Sequence, residues 1–393
     1  MRRAPYDGVT VACPVSVPYE RFSTKTAHHW IARALRGLCD AAGIGPGEID
    51  GLSVSAFTLG PDTPVGLTQH LGLVPRWLDS VPTGGASGVM ALRRAARAVQ
   101  AGDASVVACV AGDTNAPDTF RATLAGFSRF AQDATYPYGA GGPNTSFALL
   151  TDHYMRAHGA TPEDFGRICV AQRSNAGSYP QALMRTPLSL DDYTSSRMIS
   201  DPIRLYDCVM PCAGAEAFLV TDEATAGRLG LDGARVAATI ERHNAYADDP
   251  VQHRGGWAMD VDELWAMAGC GPRDVDVVET YDDYPVIVMM QLEDLGLCAK
   301  GEGPAFVREH DLRVGGDLPH NTSGGQLSVG QAGAAGGYLG LVEGLRQITG
   351  QALGEQAPIL EKAGARRALV SGFGVINYDR GVCTAAAVLE AAP

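Results

Sequence analysis

Six residues, Thr83-Gly84-Gly85-Ala86-Ser87-Gly88, stand directly before an Ala-rich apolar stretch, residues 89–99, whose Arg93, Arg94 and Arg97 fall on one polar side. The stretch reads as a helix. Its first turn is crowded with glycine, and a helix N-terminus offers unpaired N–H groups and a positive dipole end to an anion or oxyanion. A tight turn where two backbones cross needs the same glycines. A second turn of this kind, Gly324-Gly325, lies near the far end of the chain. Between them stand Tyr281, Asp282 and Asp283, with His320 just before the second turn. Tyr281 closes an expected buried strand, where a tyrosine is either core with a satisfied hydroxyl or a site group. Asp282 and Asp283 precede an apolar run, residues 286–295, so one is free to cap that helix while the other faces a pocket. His320 serves either proton transfer or a structural hydrogen bond.

The elements that must position these groups repeat. Residues 9–13 read as a strand, and Trp30, Ile31, Ala34, Leu35, Leu38 and Ala41 recur at helical spacing up to Gly43. Ala42-Gly43-Ile44-Gly45-Pro46-Gly47-Glu48-Ile49-Asp50 then leads into a strand at 52–56. After the 89–99 helix, a buried strand at 106–111 ends at Gly112. In the second half, Ala268-Gly269-Cys270-Gly271-Pro272-Arg273-Asp274-Val275-Asp276 matches the earlier segment position for position. A strand at 277–281, a helix at 337–348 and a strand at 368–371 stopped by Gly372 follow in the same order. The chain reads as an internal duplication, each half running strand, helix, strand, helix, strand. Residues 1–112 with 202–250 form the first half and 251–393 the second. Residues 113–201 fit neither half. They carry Phe120, Phe127, Phe130, Tyr136 and Tyr138, then two helix-like stretches, as an inserted loop domain that covers a site or makes a subunit contact. Arg185, Arg197 and Arg204 lie in or just after it, as solvated cations or phosphate contacts.

Composition bounds the partners. The 393 residues are 46% hydrophobic and 19% charged, enough for two core-forming units. The net charge of −13 and the lack of a Lys/Arg block argue against nucleic acid. Nine cysteines, an odd number without paired CxxC spacing, read as reduced thiols in a cytoplasm with no structural zinc. Pro14 and Pro18 break the apolar stretch behind the basic start, and no run of about 18 apolar residues suggests a membrane span.

Four phrases carry a family resemblance: Ile49-Asp50-Gly51-Leu52, Pro202-Ile203-Arg204-Leu205-Tyr206-Asp207-Cys208, Gln291-Leu292-Glu293-Asp294-Leu295-Gly296-Leu297-Cys298-Ala299-Lys300-Gly301, and Leu318-Pro319-His320-Asn321-Thr322-Ser323-Gly324-Gly325. With the duplication and the insertion, they resemble the thiolase superfamily, more closely its sterol-carrier-protein type. The resemblance covers nearly the whole chain. It implies an α/β thiolase fold, two βαβαβ halves in α-β-α-β-α layers with an inserted loop domain.

The catalytic positions depart from the thiolase pattern. Gly85 stands where a thiolase has its nucleophilic cysteine, which opens space in the pocket. Gly330-Gln331-Ala332 replaces the Gly-His-Pro motif. No cysteine lies at 371–374, and Cys383, further on, reads as core. Without a thiolate there is no acyl-enzyme, so thiolysis and Claisen condensation are excluded. One branch resembles the chain in these losses, the aldolases that cleave steroid side chains from their CoA thioesters, and it shares the Tyr-Asp pair found here at Tyr281-Asp282. That branch has a second tyrosine where Gln331 stands.

The resemblance assigns catalysis to Tyr281 and Asp282, and His320, by its place beside the second turn, is the histidine placed to help them. The resemblance assigns oxyanion and substrate binding to Gly85, Ala86, Gly325, Gln331, Gly372 and Gly374. It implies retro-aldol cleavage of a β-hydroxyacyl-CoA, with Tyr281 on the substrate hydroxyl and Asp282 or a water receiving the proton. The same chemistry run as an aldol addition, and a catalytically silent subunit that binds acyl-CoA, are the alternatives. No metal and no cofactor beyond the CoA of the substrate are expected. The expected partners are a second copy of the chain, with the 106–111 strand buried between sheets or subunits, and a small OB-fold zinc-ribbon companion supplied in trans.

Overall fold

The computed structural model describes residues 5–117, 136–139, 142–361, 364–377 and 380–391. Phe120, Phe127 and Phe130 lie outside these residues. The strands are β1 (Val9–Glu20), β2 (Gly51–Ser55), β3 (Trp77–Ser80), β4 (Val106–Asp113), β5 (Met198–Ser200), β6 (Ile203–Arg204), β7 (Ala213–Asp222), β8 (Gly233–His243), β9 (Val277–Glu279), β10 (Arg366–Asn377) and β11 (Arg380–Ala391). The helices are α1 (Ala27–Ala42), α2 (Pro64–Leu71), α3 (Ser87–Ala101), α4 (Pro143–His158), α5 (Pro162–Ser178), α6 (Leu190–Ser195), α7 (Glu223–Leu229), α8 (Trp257–Ala268), α9 (Pro285–Asp294), α10 (Gly303–Glu309), α11 (Gly325–Val329) and α12 (Gly336–Thr349).

Nine strands run in the order β3-β2-β4-β7-β1-β8-β11-β10-β9. The order is two half-sheets set back to back. In one, β2 pairs parallel with β3 and β4, and β4-β7-β1 continue antiparallel. In the other, β9 pairs parallel with β10, and β10-β11-β8 continue antiparallel. The counterpart of β3 is reduced to a parallel bridge between Val278 and His320. A three-residue pairing of β1 with β8 joins the halves. The repeated nine-residue segments are superposable in their bonding. Gly43 and Gly269 end their helices in the left-handed region. The Glu48 and Asp274 carboxylates accept from the Gly45 and Gly271 N–H groups at 2.9 and 2.7 Å.

The duplication is therefore in the structure, with two corrections. Strand β8, which the sequence boundary places in the first half, pairs along its length with β11 and opens the second. Gly112 and Gly372 do not stop their strands. β4 runs on to Asp113 and β10 to Asn377, because antiparallel partners continue beside them.

Helices α3 and α12 pack on each other and on both half-sheets, while α1 covers the outer face of the first half and α8 that of the second. These are the five layers, α-β-α-β-α. The central helices approach closely at their first turns. A Cβ on Gly88 would lie 2.2 Å from the Gly337 carbonyl oxygen, and one on Gly337 would lie 2.6 Å from that of Gly84. The turn at 84–88 thus meets the start of α12, while the Gly324-Gly325 turn packs elsewhere, on Ala176 and Asp282. The strand at 106–111 is buried within the chain, between β2 and β7, rather than offered to a second subunit.

Candidate active site

The second half delivers Tyr281 to the Gly84-Gly85-Ala86 turn. Strand β9 ends at Glu279, so Tyr281 sits in the loop that leads to α9 rather than in the strand. Its ring lies against Gly85. A Cβ built on Gly85 would lie 2.1 Å from both Cε2 and Cζ of Tyr281, and 2.3 Å from the Phe373 carbonyl oxygen. Gly85 therefore does not open a pocket. The space that a cysteine side chain would take is filled by the phenol, and the Cζ that carries the hydroxyl is at its centre. On the other side of the turn, Gly372 and Gly374 of β10 lie flush against it, with the Gly85 and Thr83 carbonyl oxygens 2.6 and 1.8 Å from where their Cβ atoms would be. The Ala86 N–H closes the turn on the Thr83 carbonyl at 3.3 Å.

One amide joins the Tyr281 hydroxyl to Asp283. Gln331 donates from Nε2 to the hydroxyl at 3.2 Å and to Asp283 Oδ1 at 2.6 Å, which holds the carboxylate beside the phenol. Gln331 is fixed through its backbone, whose N–H donates to the Met210 carbonyl at 2.9 Å and whose carbonyl accepts from Cys212 at 2.9 Å. Asp283 and Gln331 are half-buried, so this edge of the cluster faces outward. Burial first, then the Asp283 carboxylate, holds the Tyr281 phenol well above its ordinary value. Burial pushes Asp283 up to about 7, the Tyr281 hydrogen bond opposing and the charge of Asp282 adding. A neutral phenol beside a carboxylate that titrates near neutrality is an acid–base pair: the carboxylate accepts a proton, the phenol passes one.

Asp282 faces the other way. Its carboxylate accepts from the Gln326 and Leu327 N–H groups at 3.0 and 3.2 Å, capping α11, and burial raises it to about 6 against these bonds. Neither aspartate caps α9, where Tyr284 holds the N-cap position. Gly325, at φ +59°, leaves room for this cap, since its Cβ would lie 2.1 Å from Asp282 Oδ2. The assigned roles of Asp282 as proton acceptor and Gly325 as substrate contact thus have no geometric support; Asp283 has the place beside the hydroxyl. His320 is likewise walled in. Its Nε2 lies 2.8 Å from Thr280 Oγ1, and burial lowers its pKa to about 3, so it is a neutral hydrogen-bonding group. Asn175 of α5 holds the His320 and Asn321 carbonyls at 2.9 and 3.3 Å. A crevice with about 10 Å³ of room, the space of roughly one water, is lined by Tyr281, Asp282, Asn321 and Gly325.

The inserted segment braces the site. Asn144 at the start of α4 accepts from the Tyr284 hydroxyl at 2.5 Å, and Phe147 stacks on the Tyr284 ring at 3.9 Å. Arg185 and Arg197 are exposed, and Arg204 donates to the Ser196 carbonyl at 2.9 Å. Cys383 is buried in β11, as core. Among the described residues, no three His, Cys, Asp or Glu side chains are grouped to hold a metal, and no helix is long and apolar enough to cross a membrane. The sequence assigns no site role to Asp113 and Gln291, although Gln291 opens one of the phrases that carry the resemblance. Gln291 has a signal, as the lone polar residue of an otherwise apolar run, residues 285–292.

The thiolase C-terminal domain-like family matches residues 239–385. The 17-hydroxy-3-oxo-4-pregnene-20-carboxyl-CoA lyase of Mycobacterium tuberculosis is 30% identical over 88% of this chain and 94% of its own. The chain belongs to the thiolase superfamily, in its aldolase branch. A steroid side-chain-cleaving aldolase of Thermomonospora curvata is 31% identical over 81% of this chain and 84% of its own. The solved Ltp2-ChsH2(DUF35) aldolase superposes with a TM-score of 0.82 at 25% identity and covers 98% of both chains. The chain that carries Gly85, Tyr281 and Gln331 is thus an acyl-CoA carbon–carbon lyase of the thiolase fold.

Proposed function

We propose that this aldolase cleaves a β-hydroxyacyl-CoA, with a steroid side-chain thioester as its substrate class. The observation that carries the reading is the Tyr281 ring in the space of the absent cysteine side chain, with Asp283 held beside its hydroxyl by Gln331. Tyr281 contacts the substrate β-hydroxyl, whose proton passes through the phenol to the Asp283 carboxylate. The Cα–Cβ bond breaks, its electron pair forms the thioester enolate, and the β-carbon leaves as a carbonyl compound. A proton returned to Cα completes the shorter acyl-CoA. A backbone N–H of the turn at Gly85 other than that of Ala86, which closes on the Thr83 carbonyl, shelters the enolate oxygen, as preorganised dipoles do for developing oxyanions. Gln331 orients the phenol and the carboxylate together. An intact acid–base pair at the site favours catalysis over a silent acyl-CoA-binding subunit.

The reading calls for no cofactor beyond the CoA of the substrate, and for a cytoplasmic enzyme. It includes a second copy of the chain and a small companion. The name of the Ltp2-ChsH2(DUF35) aldolase supports a DUF35 protein as that companion. Purified chain, alone and with a DUF35 companion, is incubated with a panel of β-hydroxyacyl-CoA thioesters and followed for aldehyde or ketone release. Tyr281→Phe then falls by about 10²–10⁴-fold, the usual loss for a positioned acid–base group. A Tyr281→Phe enzyme with the parent's rate would remove the tyrosine from the mechanism.

A further inference from the structure

We infer that Gln291 is a positioning residue for Tyr281, acting as a one-residue substitute for a neighbouring strand. The inference rests on the reading of Tyr281 given above. Tyr281 lies beyond Glu279, the last residue of β9 paired with β10, so neither its N–H nor its carbonyl has a ladder partner. The primary amide of Gln291, fully buried on α9, takes that place. Its Oε1 accepts from the Tyr281 N–H at 3.1 Å and its Nε2 donates to the Tyr281 carbonyl at 2.7 Å. The other Nε2 hydrogen goes to the Ile287 carbonyl at 2.7 Å, and Oε1 also accepts from Ser371 Oγ at 2.7 Å. Two donors and two acceptors are all that a glutamine amide possesses, and all four are used.

The consequence is geometric. Ser371 directly precedes Gly372, which lies flush on the Gly85 turn. One side chain therefore ties the tyrosine backbone to α9, and Ser371 only steadies the amide from the side of β10. Loss of that tie lets the phenol drift relative to Gly85, Asp283 and Gln331. An error of about 1 Å in a reacting group costs on the order of 10²-fold in rate. A group that only supported the fold would lower activity whether or not the Tyr281 hydroxyl were present.

The test is a double-mutant cycle on the full chain with its companion, reading kcat and KM for carbonyl release. Gln291→Met keeps the shape and removes all four bonds. The expected result is a kcat lower by about 10–10²-fold with KM within about threefold. In the Tyr281→Phe background, the same change costs less than about twofold, because the hydroxyl it positions is gone. Ser371→Ala, which leaves the Tyr281 bonds to Gln291 intact, costs less than about threefold. Equal losses for Gln291→Met in both backgrounds, or a Ser371→Ala loss as large as that of Gln291→Met, overturn the inference and leave the Tyr281 reading standing. A Tyr281→Phe enzyme at the parent's rate ends that reading, and with it the role of Gln291. Thermal melting checks each variant. If Gln291→Met does not fold, Gln291→Glu, which as a buried neutral acid keeps the acceptors and loses one of the two donors, carries the cycle with a smaller kcat loss in the parent background and again less than about twofold in Tyr281→Phe.

Discussion

Gly85 and Tyr281 are one feature in two places. Either a side chain grows from position 85 or the phenol lies there, because a Cβ at 85 and the Tyr281 ring would be 2.1 Å apart. Gly85→Cys should therefore not restore a thiolase. It overpacks the turn, at a cost of about 1–3 kcal/mol, and displaces the phenol from its carboxylate. The expected outcome is a lower unfolding midpoint, loss of lyase activity and no labelled acyl group on residue 85 after incubation with an acyl-CoA. Trapping such an acyl-enzyme would contradict the packing. Asp283 sets the pH response. Its carboxyl is held at about 7, and only the ionised form accepts a proton, so kcat should rise with pH through that region on the acid limb. Asp283→Asn should lose the limb together with most of the rate, as read from a pH profile of kcat. A limb that persists in Asp283→Asn assigns it to another group. The sequence made the loss of the nucleophile legible, but not what replaced it. Residues 85 and 281 are 196 positions apart, and only the closed layers bring a ring onto a glycine. For the same reason two adjacent acids cannot be told apart by sequence. One turns toward α11 and the other toward the phenol according to the path of a five-residue loop.

At the scale of elements, Asp113 binds two of the loops that lead to the site. Its carboxylate, buried at the end of β4, accepts from the N–H groups of Phe57 and Thr58, from the Thr58 hydroxyl, and from the Ala334 N–H at 2.7 Å. Phe57 and Thr58 follow β2, while Ala334 lies between Gln331 and α12. The first half thereby grips the loop that carries Gln331. Asp113→Ala leaves these donors unpaired at about 1–3 kcal/mol each, so a loss of at least about 3 kcal/mol in unfolding free energy is expected. Asp113→Asn, which keeps an acceptor of the same shape, should recover part of it. Equal stability for Asp113→Ala and the parent in urea titrations would show that the grip is dispensable. The elements themselves were largely legible, because amphipathic spacing and the αL glycines at 43 and 269 are local signals. The ends of β4 and β10 were not, because their glycines are held in extended form by partners distant in sequence. The start of the second half was missed for a similar reason. Strand β8 shows its allegiance only through pairing with β11.

At the scale of the whole molecule, stacking two half-sheets on two shared helices buries acidic groups between them with few cations. Arg346 of α12 is buried there, with its guanidinium 2.8 Å from Ser16 Oγ, which in turn donates to Glu216 at 2.5 Å. Burial pushes Glu216 up to about 8, with Arg346 and Ser16 opposing. Glu279 is raised well above its ordinary value by burial and by the charge of Glu343. The Thr322 hydroxyl lies 2.8 Å from a Glu279 oxygen and 2.9 Å from a Glu343 oxygen. One hydroxyl hydrogen thus serves two carboxyl groups that face each other in a buried site. The interlayer thus stores protons that the unfolded chain, with glutamate near about 4.3, releases earlier. A raised carboxyl pKa in the native state means that folding takes up protons between these values. Stability is therefore lost as pH rises from about 4.3 through about 8, the opposite of the usual paired carboxylate. His320 works on the acid side: lowered to about 3, it withdraws stability as pH falls below its unfolded value of about 6.5. Glu216→Gln mimics the neutral acid that the native state holds at pH 6, so its unfolding midpoint there should match the parent's. At pH 9 the parent carries a buried carboxylate and the variant does not, so the variant should be the more stable of the two. Midpoints that fall equally in both between pH 6 and 9 would mean that Glu216 is already ionised in the native protein at neutral pH, with Arg346 outweighing its burial.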